Sequence, residues 1–179
     1  MKAEDVLNRL IEGNATYVRS GRYAADVTAE RRDRLAAEQR PMAVVVACSD
    51  SRVVPEVVFG ASLGELFVIR VAGNVLADAE LASIEYAVHH LDVGVVVILG
   101  HTACGAISAA VAGEEAGLVS AITTPLRKII AGEQDVTAAA LRNVRHQVRL
   151  VRAHWPDPSV YSCGAIYDIA TGKVRFIQE

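Results

Sequence analysis

The sequence predicts an α/β fold with a mostly parallel central sheet, one antiparallel closing strand, helices on both faces and an N-terminal helical arm. Three observations carry that expectation. Apolar runs recur at 42–48, 66–70 and 93–100, and each is continuous rather than alternating, as in strands covered on both faces. The segments between them space their apolar residues as helices do. Strands separated by helices favour parallel neighbours.

In order, Val6, Leu7, Leu10, Ile11, Tyr17 and Val18 recur at helical spacing, and Thr28 is placed to cap a second, highly charged helix running to Glu38. Pro41 ends this arm, so residues 1–40 are helical and 41–179 form the α/β core of a single domain. A short helical piece at 55–59 precedes the second strand. Asp78 opens a helix with Leu81, Ile84, Val88 and Leu91 on one stripe. After the third strand, helices are expected at 104–112 and 118–131, with Pro125 marking a start or kink in the latter. Asp135 caps a long helix whose core face carries Leu141, Val144, Val148 and Val151. The chain then reads as a strand ending at Ile169, a turn at Thr171-Gly172, and an antiparallel strand over 174–177.

Composition narrows the function. Lys+Arg 18 against Asp+Glu 21 gives −3, and one Trp, five Tyr and three Phe are few for base stacking, so no nucleic-acid partner is expected. Residues 93–113 lack Lys, Arg, Asp and Glu, yet Gly94, Gly100, His101, Thr102, Cys104 and Gly105 break them up, which fits strand, turn and helix better than a membrane span. The N-terminus shows no secretory signal and three cysteines make no disulfide framework, so a cytoplasmic location is expected.

In parallel sheets, ligands gather at the carboxyl ends of strands. The first apolar run ends in Cys48-Ser49-Asp50-Ser51-Arg52 and the third in His101-Thr102-Ala103-Cys104-Gly105. If those strands are parallel neighbours, Cys48 and His101 emerge at one edge, and Cys104 follows His101 by about a helical turn. Two thiolates and an imidazole suit Zn²⁺, and three protein ligands leave a fourth tetrahedral position open for catalysis. Asp50 and Arg52 read as a pair beside the metal, with Arg52 keeping the carboxylate ionised so that it accepts a hydrogen bond from activated water. Cys163 reads as core filler, and His89, His90, His146 and His154 as helix-surface residues. No phosphate-binding glycine motif is present.

These residues closely resemble the β-class carbonic anhydrases. The resemblance covers residues 39–113, continues more weakly to 172, and includes Arg70-Val-Ala-Gly-Asn74, Ser83-Ile-Glu-Tyr-Ala87, Asn143-Val144 and Tyr167-Asp168. It implies zinc-dependent, reversible hydration of CO₂ to bicarbonate and a proton, with Cys48, His101 and Cys104 as zinc ligands and Asp50–Arg52 as the catalytic pair. It also implies that Gln39 hydrogen-bonds the substrate, that Phe67 and Tyr86 form pocket walls, and that the Gly105 amide faces the substrate. Those walls come partly from a neighbouring subunit, so the resemblance implies a homodimer or larger, with N-terminal helices crossing onto the partner.

Family members that switch off with a second bicarbonate carry Trp three residues before the first zinc cysteine. Val45 stands there, although Arg70 and Tyr167 match that pocket, so such regulation is not expected. Two other readings keep the metal site: hydrolysis of carbonyl sulfide or carbon disulfide, and a non-catalytic zinc protein in which Asp50 closes the coordination sphere. Gln39, Arg52 and Tyr86 disfavour the last, because a structural site needs no substrate cradle.

Overall fold

A computed structural model describes residues 1–23 and 25–177. Its five strands are β1 (Ala43–Ala47), β2 (Leu66–Arg70), β3 (Val95–His101), β4 (Tyr161–Tyr167) and β5 (Val174–Ile177). They lie in the order β2-β1-β3-β4-β5, all parallel except for the antiparallel β4–β5 pair. The helices are α1 (Ala3–Ser20), α2 (Ala29–Leu35), α3 (Pro55–Val58), α4 (Asp78–Leu91), α5 (Gly105–Val111), α6 (Ser120–Ile130) and α7 (Val136–His154).

Alternation along β1 divides the core. Ala43, Val45 and Ala47 join Val6, Leu10, Val58 and Phe59 beneath α1 and α3. Val44 and Val46 face Ile84 of α4 and Val144, Val148 and Val151 of α7. Both faces of the strand are thus dry, which is why its sequence is apolar throughout. Helix α7 approaches β3 closely at Gly100, where an added Cβ would stand 2.5 Å from Val144 Cγ2.

Several expected boundaries shift. Helix α2 stops at Leu35 rather than Glu38. Thr28 does cap it, accepting from the Arg31 amide, but none of its residues is buried, and a short helix without a packed face has little to extend it. A 3₁₀ turn over Gly117–Val119 precedes α6, and Pro125 lies inside that helix. Asp135 caps α7 by accepting from the Ala138 amide.

Helix α1 docks on the sheet of its own chain. Val6 and Leu10 are buried on the sheet, and Asn14 Nδ2 donates to the Val58 and Gly172 carbonyls at 2.9 Å each. Asn14 Oδ1 accepts from the Val174 amide at 2.8 Å. Among the described residues no helix is long and apolar enough to cross a membrane.

Candidate metal centre

The strand order puts the site where it belongs physically. From β1 the chain moves outward to β2, then crosses back to place β3 on the other side of β1. The carboxyl ends of β1 and β3 therefore diverge into a crevice at this reversal of direction. Cys48 directly follows β1, and His101 is the last residue of β3. Ala103 turns the chain with φ 52°, a left-handed conformation costly for a residue with a side chain, and that turn sends Cys104 back towards the same point.

The resulting cluster is compact and dry. Cys48 Sγ lies 4.0 Å from Cys104 Sγ, and the ligand atoms of Cys48, His101 and Cys104 all fall within 4.8 Å of one another. All three residues are buried, His101 to 1% exposure. Two sulfurs bound about 2.3 Å from one tetrahedral ion stand about 3.8 Å apart, close to the spacing seen.

His101 Nδ1 lies 2.9 Å from the Thr102 carbonyl oxygen, so that nitrogen carries the proton. Nε2 then presents a lone pair and, though buried, has no hydrogen-bond partner. A buried imidazole nitrogen without a partner is costly, and a cation is the species that two neighbouring sulfurs and this lone pair would jointly accept. Thr102 is itself fixed, its amide donating to the Tyr167 carbonyl and its hydroxyl oxygen accepting from the Ile169 amide.

The two thiols differ. Hydrogen bonding from Cys104 is the largest influence drawing the Cys48 thiol down, assisted by the amides of Asp50 and Gly73. Cys104 is pushed up, first by its bond to Cys48 and then by burial. The amides of Asp50 and Gly73 reach Cys48 Sγ at 3.4 and 3.3 Å.

Asp50 and Arg52 form a two-pronged pair. Arg52 Nε donates to Asp50 Oδ1 at 2.9 Å and Nη2 to Oδ2 at 2.7 Å, while the Arg52 amide also donates to Oδ1. These bonds from the Arg52 side chain chiefly hold the Asp50 carboxyl below the ordinary carboxylate range. Arg52 Nη2 also reaches the Ala103 carbonyl at 3.3 Å, spanning the two metal-bearing turns. Arg70, at the end of β2, donates to the backbone carbonyls of Cys48 and Asp50 and pins the loop from the other side.

Gly105 opens α5 beside Cys104, is exposed, and has no atom from outside its own helix turn within 4 Å of where a side chain would begin. The remaining expected substrate residues lie elsewhere in the chain. Gln39 precedes β1 and is separated from Cys48 by the length of that strand, about 17 Å for five residues. Phe67 pairs with Val44 low in the sheet, and its ring stands 6.3 Å from that of Tyr86 on α4. Tyr86 is 48% exposed.

Cys163 is buried in β4, as expected of core filler, and burial pushes its thiol up to about 12. His89, His90 and His154 are exposed, whereas His146 is half-buried. Sequence reasoning gave no role to Gly73, whose amide meets Cys48, or to Asn143 and Gln147 behind it. The available signal was two amide side chains on the apolar face of α7.

The sequence profile described as "Carbonic anhydrase" matches residues 43–174. Carbonic anhydrase 2 of Mycobacterium tuberculosis is 47% identical over 103 residues, covering 58% of this chain and 50% of its own length. Carbonic anhydrase of Mycolicibacterium smegmatis is 46% identical over 110 residues, covering 62% and 53%. The chain thus spans about half the length of the curated relatives it matches. Among solved structures, the β-carbonic anhydrase CafA of Aspergillus fumigatus has a TM-score of 0.75 at 28% identity, over 98% of this chain and 90% of that one. The Coccomyxa β-carbonic anhydrase in complex with acetazolamide shares the fold, with a TM-score of 0.72 at 24% identity over 99% and 86%.

Proposed function

Because the chain belongs to the β-class carbonic anhydrase family, we propose that Cys48, His101 and Cys104 hold Zn²⁺ and that the protein reversibly hydrates CO₂ to bicarbonate and a proton. The observation that carries the reading is the buried triad, two sulfurs 4.0 Å apart facing an imidazole whose inward nitrogen has no partner. When bound, Zn²⁺ supplies an acid strong enough to ionise water near neutrality, lowering its pKa from 15.7 to about 7.

The chain's own residues do the rest. Asp50, kept ionised by Arg52, can only accept hydrogen bonds, so it selects the orientation in which the nucleophile turns its hydrogen to Asp50 and its lone pair to the carbon. His101 Nδ1 donates a hydrogen bond to the Thr102 carbonyl, which keeps the ring aligned. The room beside Gly105 admits a small substrate whose oxygen the backbone amide meets.

Gln39, Phe67 and Tyr86 complete the pocket from a second copy of the chain. What supports this is their distance from their own triad together with the exposure of Tyr86, which leaves an aromatic face free to cover another site. The active unit is then at least a homodimer. Its two metal-binding thiols need a reducing compartment, which favours the cytoplasm.

Stopped-flow measurement of CO₂ hydration by the zinc-loaded protein tests the reading. Zinc-dependent turnover is expected. A protein with stoichiometric zinc and no hydration at neutral or alkaline pH overturns it, and parallel assays with carbonyl sulfide and carbon disulfide then identify a changed substrate.

A further inference from the structure

A line of buried amides runs from helix α7 to the sulfur of Cys48. Gln147 Oε1 accepts from the Leu76 amide at 3.3 Å, and Gln147 Nε2 donates to Asn143 Oδ1 at 2.9 Å. Asn143 Nδ2 donates to the Gly73 carbonyl at 2.8 Å, and the Gly73 amide donates to Cys48 Sγ at 3.3 Å. Asn143 and Gln147 are 0% and 1% exposed.

These side chains are an expensive way to fill a core. Burying an amide is tolerable only when it is bonded, and an apolar residue of similar size would pack beside Val144 and Val148 without that requirement. Among the described residues, the bonds they make beyond each other go to the segment 73–76, which they clamp at the Gly73 carbonyl and the Leu76 amide. That segment cannot hold itself in this shape easily. Gly73 adopts φ 68°, and an added Cβ would stand 3.0 Å from Leu126 Cδ1 and 3.2 Å from Ala106 Cβ. Of the two amides that meet Cys48 Sγ, that of Asp50 belongs to the cysteine's own turn. The Gly73 amide comes from a separate segment beyond β2 and points at the sulfur only while that segment is held.

We propose that Asn143 and Gln147 are positioning residues that hold the Gly73 amide on the Cys48 sulfur and thereby set how strongly that thiolate donates to its metal. This rests on the metal reading of the preceding section. A hydrogen bond to a coordinated thiolate withdraws electron density from it, and outer partners of this kind typically alter metal affinity by about 10–100-fold.

The test uses the full chain loaded with Co²⁺, whose sulfur-to-metal charge-transfer band reports the electron richness of the thiolates, together with competition for Zn²⁺ against a chelator. Asn143→Leu and Gln147→Met remove the amides at similar volume. Val148→Ala loosens the same helix face without touching the amides. Asn143→Leu is expected to move the band to longer wavelength, and to weaken Zn²⁺ binding about 10–100-fold because the sulfur loses the partner that fixes it for the metal, an effect larger than its gain in donor strength. Gln147→Met, which leaves Asn143 on Gly73, is expected to move it less in the same direction, and Val148→Ala not at all.

If Asn143→Leu fails to fold, Gln147→Met carries the test. A folded amide variant with the wild-type band and affinity overturns the proposal, as does an equal shift in Val148→Ala. A wild-type chain that takes up neither Co²⁺ nor Zn²⁺ is a different failure: it overturns the metal reading itself, and the positioning role with it.

Discussion

Replacing Arg52 with Ala separates charge from orientation at the proposed active site. The substitution deletes the 2.9 and 2.7 Å bonds to the Asp50 carboxylate and the 3.3 Å bond to the Ala103 carbonyl, and touches no metal-ligating side chain. Asp50 is held below its ordinary value chiefly by those bonds, so without them its carboxyl moves up towards 3.8. From about pH 7 to about pH 9 it stays ionised in either protein. Turnover is therefore expected to fall because the acceptor wanders, not because it is neutralised. The loss should be about 10–100-fold, as for other groups that orient a metal site from behind, and nearly constant across that pH range. Zinc content should be unchanged. Thermal stability should fall modestly, because the Arg52 side chain is 51% exposed while the Asp50 carboxylate it leaves behind is 15% exposed. Arg52→Lys restores the charge without the two-pronged geometry and should recover only part of the rate. The assay is stopped-flow CO₂ hydration across pH, with metal analysis on each sample. Wild-type turnover in zinc-replete Arg52→Ala, or a deficit that vanishes as the pH is raised, would refute the orienting role.

Other perturbations reach separate parts of the structure. Cys104→Ser exchanges a soft sulfur for a weaker oxygen ligand and should lose zinc or retain it only loosely; undiminished metal by elemental analysis would contradict the ligand set. Asn14→Ala removes three buried or half-buried hydrogen bonds that tie α1 to the end of α3 and to β5. At about 1 kcal/mol net each the cost is about 3 kcal/mol, or a fall in Tm of about 6–12 °C at this chain length; an unchanged melting curve would mean that α1 does not dock on its own sheet. Cys163, pushed by burial from 9.0 to about 12, should be a neutral thiol at pH 8.5. Iodoacetamide should label it only after unfolding, and its contribution to stability, complete below 9.0, should be lost as pH rises from there towards about 12. Rapid labelling of the native protein at pH 8.5, read by mass spectrometry, would place that thiol in solvent instead.

The metal triad was readable because its information is local. Cys48 and His101 each close a run of apolar residues, and in a parallel sheet the end of a run is the end of a strand, where ligands bind. Only the adjacency of β1 and β3 had to be assumed, and the strand order supplies it. The Asp50–Arg52 pair was legible for the same reason, lying two residues apart in one turn. Boundaries were less legible where packing decides them. Nothing in the charged segment after Thr28 shows that a helix without a buried face ends at Leu35. The docking of α1 on its own sheet depends on Asn14, whose partners Gly172 and Val174 lie near the other end of the chain. Asn143 was matched as part of Asn143-Val144 but given no role, because it meets Gly73 from 70 residues away. Its one local mark is position, since Ala139, Ala140, Asn143, Val144, Gln147, Val148 and Val151 together form the buried stripe of α7. Polar residues in such a stripe signal a bonded network, but spacing alone does not identify what they bond to. Gln39 stands a strand's length from the triad within the chain, and the roles expected of it, Phe67 and Tyr86 came from the family resemblance rather than from their spacing.

X-ray absorption at the zinc edge, on full-length protein with its metal content measured, interrogates the Cys48–His101–Cys104 centre without relying on turnover. One zinc per chain is expected, with two sulfurs at about 2.3 Å and one imidazole nitrogen at about 2.0–2.1 Å. Protein that takes up no stoichiometric zinc, or binds it through nitrogen and oxygen alone, would contradict that centre.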